Sequence, residues 1–386
     1  MLTWSDRFTP YARRIIPSAI RGLASLPRAA DTISFGPGEP DPTLFPVDEV
    51  AERLNRIMAE PAVARAALQY GPTEGDMALR ERLCGYMAAK GVKCSPANIL
   101  LTNGSQQALD LVVELLVQPG ATVMAQIPCY PGALQIFSAH GAEVVPPGAQ
   151  GPRPALIYAM ATFCNPTGLS LAEDQRGDLV ALARRLDTVL VEDDPYEVLR
   201  YDGTELPPLL GFERSVEEAR TFYLGTFSKS VAPGFRVGWI VAPSEVIEKL
   251  VLMKQSEDLQ AGTLAQACLA GLFDFATTVH ASRLRDAYRI RRDAMLSALD
   301  LEMRNLAHWK VPDGGFFLWL TLPGIKDATA LLARAAVAGV TFVPGAAFHA
   351  GAGGENALRL SFSAAPVGRI AEGVARLAQV VRDSPV

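Results

Sequence analysis

Gly225-Thr226-Phe227-Ser228-Lys229-Ser230-Val231-Ala232-Pro233-Gly234-Phe235-Arg236-Val237-Gly238-Trp239 sets one lysine among three hydroxyls, with an arginine seven positions on. Lys229 is one of only seven lysines in 386 residues. An ordinary lysine titrates near ~10.4, whereas an amine that attacks a carbonyl must be neutral. Burial and a nearby cation both lower that value, which suits a lysine that bonds covalently to a carbonyl compound. Hydroxyls and a guanidinium beside it are the donors that a phosphate group takes. The stretch also reads as a polar turn between two strands, so its meaning depends on its surroundings.

Those surroundings alternate. Thr221 to Leu224 and Val237 to Val241 read as strands on either side of Lys229. Upstream, strands are expected at Asn98 to Thr102, Thr122 to Ile127, Glu143 to Pro146, Ala155 to Ala161 and Thr188 to Glu192. Helices fall between them at Ser105 to Val117, Tyr130 to His140 and Ala172 to Arg185. Continuous apolar strands alternating with helices predict an α/β fold with a mostly parallel sheet sandwiched by helices. On such sheets ligands bind at the carboxyl ends of the strands. Helices are also expected at Ser18 to Leu26, Val47 to Met58 and Met77 to Lys90, and a long helical region at Ser244 to Leu299 crosses Gly262 and Gly271. Mixed strands and helices over 300–386 suit a smaller α+β domain. The expected division is 1–46 as an N-terminal segment joining the small domain, 47–290 as the large domain and 291–386 as the C-terminal small domain.

Composition narrows the classes of function. Hydrophobic content of 49% with 20% charge is that of a soluble globular chain, and a net charge of -5 without any Lys/Arg block gives no reason to expect nucleic acid. Five cysteines at 84, 94, 129, 164 and 268 form no C-x-x-C pair, which points to reduced thiols and a cytoplasmic protein. The four histidines lack ligand spacing, so no metal site is expected. No apolar run approaches the roughly 18–20 residues that span a bilayer, and no membrane partner is expected. The N-terminus lacks an apolar signal core.

Several short motifs carry chemistry. Thr102-Asn103-Gly104-Ser105-Gln106-Gln107 joins a strand to a helix, where free N–H groups favour an anion. It reads equally as a plain cap with Ser105 at the N-cap position. Tyr130, in Pro128-Cys129-Tyr130-Pro131-Gly132, ends the next strand and could stack on a flat ring. Asn165-Pro166-Thr167-Gly168 is a turn after a strand. Asp193 follows Val189-Leu190-Val191, with Tyr196 three residues later. An Asp-Asp pair after a strand also reads as part of a solvated loop. Arg359, in Ala357-Leu358-Arg359-Leu360-Ser361, has apolar strand neighbours, and its planar fork matches a carboxylate.

Together, in this order and at these intervals, the motifs resemble the fold-type I aminotransferases of class I/II that use pyridoxal 5'-phosphate (PLP), and most of all the branch with 2-aminoadipate and kynurenine aminotransferases. The Lys229 stretch resembles the family's Ser-x-Ser-Lys followed by Ala-Pro-Gly-x-Arg. Asn103 to Asp110 matches Asn-Gly-Ser-Gln-Gln-Ala-Leu-Asp, and the intervals 165 to 193 and 193 to 229 resemble the family's spacing. The resemblance runs from Ser18 to Ser363 and implies a seven-stranded sheet, PLP as cofactor and a homodimer with shared sites. It implies that Lys229 carries the cofactor and moves the substrate proton. Gly104, Ser105, Gln106, Thr226, Ser228 and Arg236 would hold its phosphate, and Tyr130 would stack on its ring. Asp193 would face the ring nitrogen, with Asn165 and Tyr196 at the 3'-oxygen. Arg359 would clamp the substrate α-carboxylate, which Asn165 also meets, and Tyr70 would reach the partner's phosphate. Gly38 would lie over the substrate, in a segment that departs from the family at Pro37 and Glu39. Arg21, in Ser18-Ala19-Ile20-Arg21, would meet an acidic substrate side chain. The implied reaction moves an amino group from an L-amino acid, acidic or of broad type, to a 2-oxo acid. A lyase, racemase or decarboxylase on the same scaffold is the alternative, with a PLP-domain transcription regulator a more distant one.

Overall fold

Strands form where apolar residues run without interruption, and the turns between them collect Gly, Pro and Asn. The computed structural model describes residues 3–15, 17 and 31–384. The expected helix at Ser18 to Leu26, and with it Arg21, lies outside the described residues. Strand β1 is Ile33–Ser34. The main sheet then takes β2 (Ile99–Thr102), β3 (Thr122–Ala125), β4 (Glu143–Val145), β5 (Leu156–Ala159), β6 (Val189–Asp193), β7 (Thr221–Thr226) and β8 (Gly238–Val241). Their order across this seven-stranded sheet is β2-β8-β7-β6-β5-β3-β4. β8 runs antiparallel to both of its neighbours, and the remaining pairs are parallel.

Side chains on the strands alternate between two cores. Leu100, Phe222, Leu224 and Ile240 join the core on one face, and Leu101, Tyr223, Trp239 and Val241 join the core on the other. This two-sided burial explains why the strands read as continuous apolar runs. Helix Ser105–Leu116 covers the first face with Ala108, Leu109, Val112 and Val113. At its start the backbone of β8 comes close: a Cβ on Gly238 would lie 2.7 Å from both Gly104 C and Ser105 N. Gly104 itself has φ +87, a conformation other L-residues rarely adopt, and it is the N-cap in place of the expected Ser105.

A second, antiparallel sheet has the order β12-β13-β10-β9, from β9 (His308–Trp309), β10 (Phe317–Thr321), β12 (Val343–Pro344) and β13 (Ala357–Ser361). β1 pairs in parallel with β11 (Val340–Thr341), so the segment after residue 31 joins the C-terminal layer. Helices Ala328–Val337 and Val367–Arg382 complete that layer.

The long helical region divides where one helix was expected. Its parts are Ser244–Glu257, Thr263–Phe275 and Ala281–Glu302, with a π-helical turn at Ala276–His280 before the last. Leu259, at φ +69, turns the chain out of the first helix, and Gly262 caps the second. Gly271, in contrast, sits inside a helix as expected, against the Arg53 side chain. Helix Pro61–Ala67 was not anticipated. Its Pro61 stands at the first turn, where proline is tolerated.

Candidate active site

The carboxyl ends of β6 and β7 open into a cavity of about 870 Å³. Gly38, Ser105, Gln106, Tyr130, Asn165, Asp193, Tyr196, Thr226, Ser228, Lys229, Arg236 and Arg359 all line it. Residues from seven separate stretches, up to 321 positions apart in the chain, therefore meet at one place. Gly104 stands behind the lining, where a Cβ would lie 2.6 Å from the Arg236 guanidinium. Tyr70 does not line the cavity and is 76% exposed.

Asp193 ends β6 and is buried. Tyr158, on the adjacent β5, donates its hydroxyl to Asp193 Oδ2 at 2.7 Å. The other oxygen, Oδ1, is buried without a hydrogen-bond partner. Burial pushes the Asp193 carboxyl up to about 6, against the opposing hydrogen bond from Tyr158. Lys229 Nζ donates to the Gly38 carbonyl at 3.2 Å. Burial holds its amine down to about 8; Glu39 opposes this, and the Arg359 and Arg236 charges add to it.

Arg359 is fully buried on β13. Its Nη1 donates to Asn165 Oδ1 at 2.8 Å and its Nη2 to the Gly36 carbonyl. The guanidinium lies 4.2 Å from the Phe317 ring centroid and 5.1 Å from that of Phe348. Burial lowers its affinity for the proton to about 10, with the Tyr196 and Tyr130 hydroxyls acting in the opposite sense. Tyr196 packs edge-on against Phe316 and Phe317. Gly38 is pressed against that same Phe317 ring, 2.6 Å from where its Cβ would be, so the segment Pro37-Gly38-Glu39 closes over the cavity only with glycine in its centre. Across the cavity the Tyr130 ring lies so close over Gly132 that a Cβ there would be 2.5 Å from it.

Thr226 Oγ1 donates to Ser228 Oγ at 2.9 Å and accepts from the Ser228 N–H at 3.2 Å. Arg236 has φ +52, and its Nη2 donates to the Asn103 carbonyl at 2.9 Å. Four donor groups, two hydroxyls, a guanidinium and a helix N-terminus, thus stand at one end of the cavity. Tyr158 was not singled out from the sequence. A tyrosine inside an apolar strand carries no local sign that a carboxylate 35 residues later will accept its proton.

Residues 30–377 match the family described as aminotransferase class I and II. The chain belongs to that family. It is 38% identical to the 2-aminoadipate transaminase of Thermus thermophilus, covering 99% of this chain and 98% of that one. It is 36% identical to aromatic-amino-acid aminotransferase 1 of Thermococcus litoralis, over 99% of this chain and 95% of that protein. The crystal structure of an alpha-aminoadipate aminotransferase from Thermus thermophilus, complexed with N-(5'-phosphopyridoxyl)-L-leucine, superposes with a TM-score of 0.90 at 38% identity, covering 99% of this chain and 98% of that one. This aminotransferase has the PLP-dependent fold type I, uses PLP, and transfers amino groups from amino acids to 2-oxo acids.

The lowered basicity of Lys229 has a direct readout in the cofactor-free aminotransferase. Acylation by a small amine-reactive reagent, mapped to peptides across a pH series, should rise at Lys229 up to about 8 and then level off. Ordinary lysines should keep rising to about 10.4. A Lys229 inflection in that ordinary range would contradict the burial argument.

Proposed function

We propose that this aminotransferase binds PLP between Tyr130 and the carboxyl ends of β6 and β7, and that Lys229 is its covalent attachment point. The observation that carries this reading is the buried, unpartnered Oδ1 of Asp193 in a cavity that also holds an amine of lowered pKa. A protonated ring nitrogen is the partner such an oxygen lacks. Ser105, Gln106, Thr226, Ser228 and Arg236 are the donors for the phosphate, with Gly104 giving the turn its shape. Asn165 and Tyr196 serve the ring's 3'-oxygen.

Bound PLP supplies an electron sink that lowers the cost of removing the substrate Cα proton. Lys229 takes and returns that proton at Nζ, and an amine poised near neutral pH is suited to both directions. Arg359 binds the substrate α-carboxylate, together with Asn165. Pro37-Gly38-Glu39 covers the substrate and limits water. The relatives' names, 2-aminoadipate and aromatic amino acid, and the leucine adduct in the related structure support an acidic or broad donor range.

We propose further that two chains form a homodimer in which Tyr70 serves the neighbour's phosphate. Its exposure outside its own cavity supports this, as does the exposed apolar character of Leu68 and Met77 nearby. The domains divide as 1–46, 47–290 and 291–386 on this reading. Five free cysteines suit a reducing cytoplasm.

Three measurements test these assignments. Asp193→Ala removes the counter-charge to a buried cation, worth on the order of 3–5 kcal/mol, and should lower kcat by about 10²–10⁴. Near-normal turnover would end the electron-sink role. Tyr70→Ala and Lys229→Ala proteins, each impaired alone, should recover roughly a quarter of wild-type activity on subunit mixing, because heterodimers regain one complete site. No recovery after verified exchange would mean that each site is complete within one chain. Arg21 we assign to acidic donor side chains: Arg21→Ala should cost kcat/KM for glutamate about 2–5 kcal/mol and leave leucine nearly unchanged. Equal losses on both donors would remove Arg21 from specificity.

A further inference from the structure

A buried lysine outside the cavity forms a closed polar ring with the turn that precedes the phosphate-facing helix. Lys254, on helix Ser244–Glu257, has no exposed side-chain surface. Its ammonium donates to Asp258 Oδ1 at 2.6 Å, to Asp258 Oδ2 at 2.8 Å and to Gln107 Oε1 at 2.9 Å. Asp258 Oδ2 also accepts from Asn103 Nδ2 at 2.6 Å and from Gln107 Nε2 at 2.5 Å. Gln107 Oε1 accepts the backbone N–H of Asn103 at 2.7 Å. The backbone N–H and the side-chain amide of Asn103 are therefore both tied to the ring, and its carbonyl accepts from Arg236 Nη2 at 2.9 Å.

Burying an ion pair costs desolvation that the mutual attraction offsets only in good geometry, and well-packed apolar replacements are often no less stable. Overall stability therefore gives little account of Lys254. A fixed conformation at Asn103 gives a better one. Asn103 stands directly before Gly104, whose φ is +87, and before the helix whose first residues, Ser105 and Gln106, line the cavity. Each ring member removes one freedom from that turn. Lys254 and Asp258 hold the amide of Gln107 in one orientation, Gln107 and Asp258 hold Asn103, and Asn103 presents a single acceptor to Arg236.

We propose that Lys254, acting through Asp258, Gln107 and Asn103, is a positioning residue for the phosphate of PLP. The ring sets the turn from which Ser105 and Gln106 face the cavity, and it fixes the acceptor that aims Arg236. This rests on the assignment of Ser105 and Arg236 to the phosphate made above.

The test separates phosphate from ring. Cofactor-free wild type, Lys254→Met, Asp258→Asn, Asn103→Ala and Arg236→Ala are titrated with PLP and with pyridoxal, which lacks the phosphate, following intrinsic fluorescence. Lys254→Met and Asp258→Asn should weaken PLP at least about tenfold, as loss of charge-assisted hydrogen bonds does, and leave pyridoxal within about twofold. Asn103→Ala should show the same selectivity and answers the question should the buried variants fail to fold. Equal losses for PLP and pyridoxal would reduce the ring to scaffold and overturn the proposal. If Arg236→Ala weakens PLP while the ring variants do not, the ring proposal alone falls. If Arg236→Ala also binds PLP as wild type does, the phosphate assignment falls and takes the ring proposal with it.

Discussion

Ionisable groups buried around one cavity set the terms for the rest of this structure. Asp193, Lys229 and Arg359 are each pushed toward the neutral form by burial, the carboxyl up to about 6, the amine down to about 8 and the guanidinium down to about 10. For Asp193 the cost to folding is full above about 6 and absent below its ordinary value of 3.8. For Lys229 the sense is reversed: the cost is full below about 8 and gone above 10.5. Near neutral pH both costs stand together, and that of Asp193 alone is about 3 kcal/mol. A ligand that brings a cation to Asp193 relieves the first of these, and one that brings a carboxylate relieves that of Arg359. Such binding is linked to stability, and the holoenzyme should tolerate what the empty chain tolerates poorly.

The scaffold that bears this cost is the buried centre of the main sheet. β5, β7 and β8 are buried throughout, so their backbone partners are fixed and their ends do not wander. Close backbone approach matters as much as apolar area. A Cβ on Gly225 would lie 2.2 Å from the Trp239 ring, which lets β7 and β8 pack with the indole folded across them just before Lys229. Gly238 then lets β8 meet the start of helix Ser105–Leu116. Two glycines on two adjacent strands thus bring the lysine turn and the helix N-terminus to opposite sides of one small volume.

Much of this was legible in the chain. The sheet strands were readable because burial on both faces makes them apolar throughout, and helices such as Met77–Ala89 and Ser105–Leu116 because Gly91 and Pro119-Gly120 follow their ends. The cavity lining was readable where one motif supplies one residue to it, as at Lys229, Asn165 and Arg359. What stayed hidden depends on contacts between distant segments. Tyr158 looks like any strand aromatic until β5 and β6 pair and place it beside Asp193. Lys254 looks like a surface residue with an ordinary i,i+4 partner in Asp258, since nothing local announces Gln107, 147 positions away. The break at Leu259 escaped for a related reason: a leucine at φ +69 violates its own preference and is held there by tertiary context. Tyr70 shows the limit of a single chain: it is exposed and stands outside the cavity, and its proposed partner is not part of its own fold.

The holding of Arg359 bears on the role proposed for it, the recognition of a carboxylate at so buried a place. Its two terminal nitrogens donate to an amide oxygen and a backbone carbonyl, its Nε is buried without a hydrogen-bond partner, and two aromatic faces flank the group, so all its protein neighbours are neutral. A carboxylate partner from the protein would have held it equally well, but would have competed with the substrate's own. Neutral acceptors fix the plane of the fork without discharging its attraction for an anion. The aromatic faces of Phe317 and Phe348 exclude water while the Gly36 carbonyl and Asn165 set the angle. Little reorganisation then remains for the moment of binding, and on the proposed assignment the attraction between the fork and an arriving carboxylate is spent on orienting Cα toward Lys229. The same Phe317 ring presses on Gly38, whose carbonyl accepts from Lys229. One aromatic side chain therefore touches both the Arg359 fork and the strip of backbone that holds the amine.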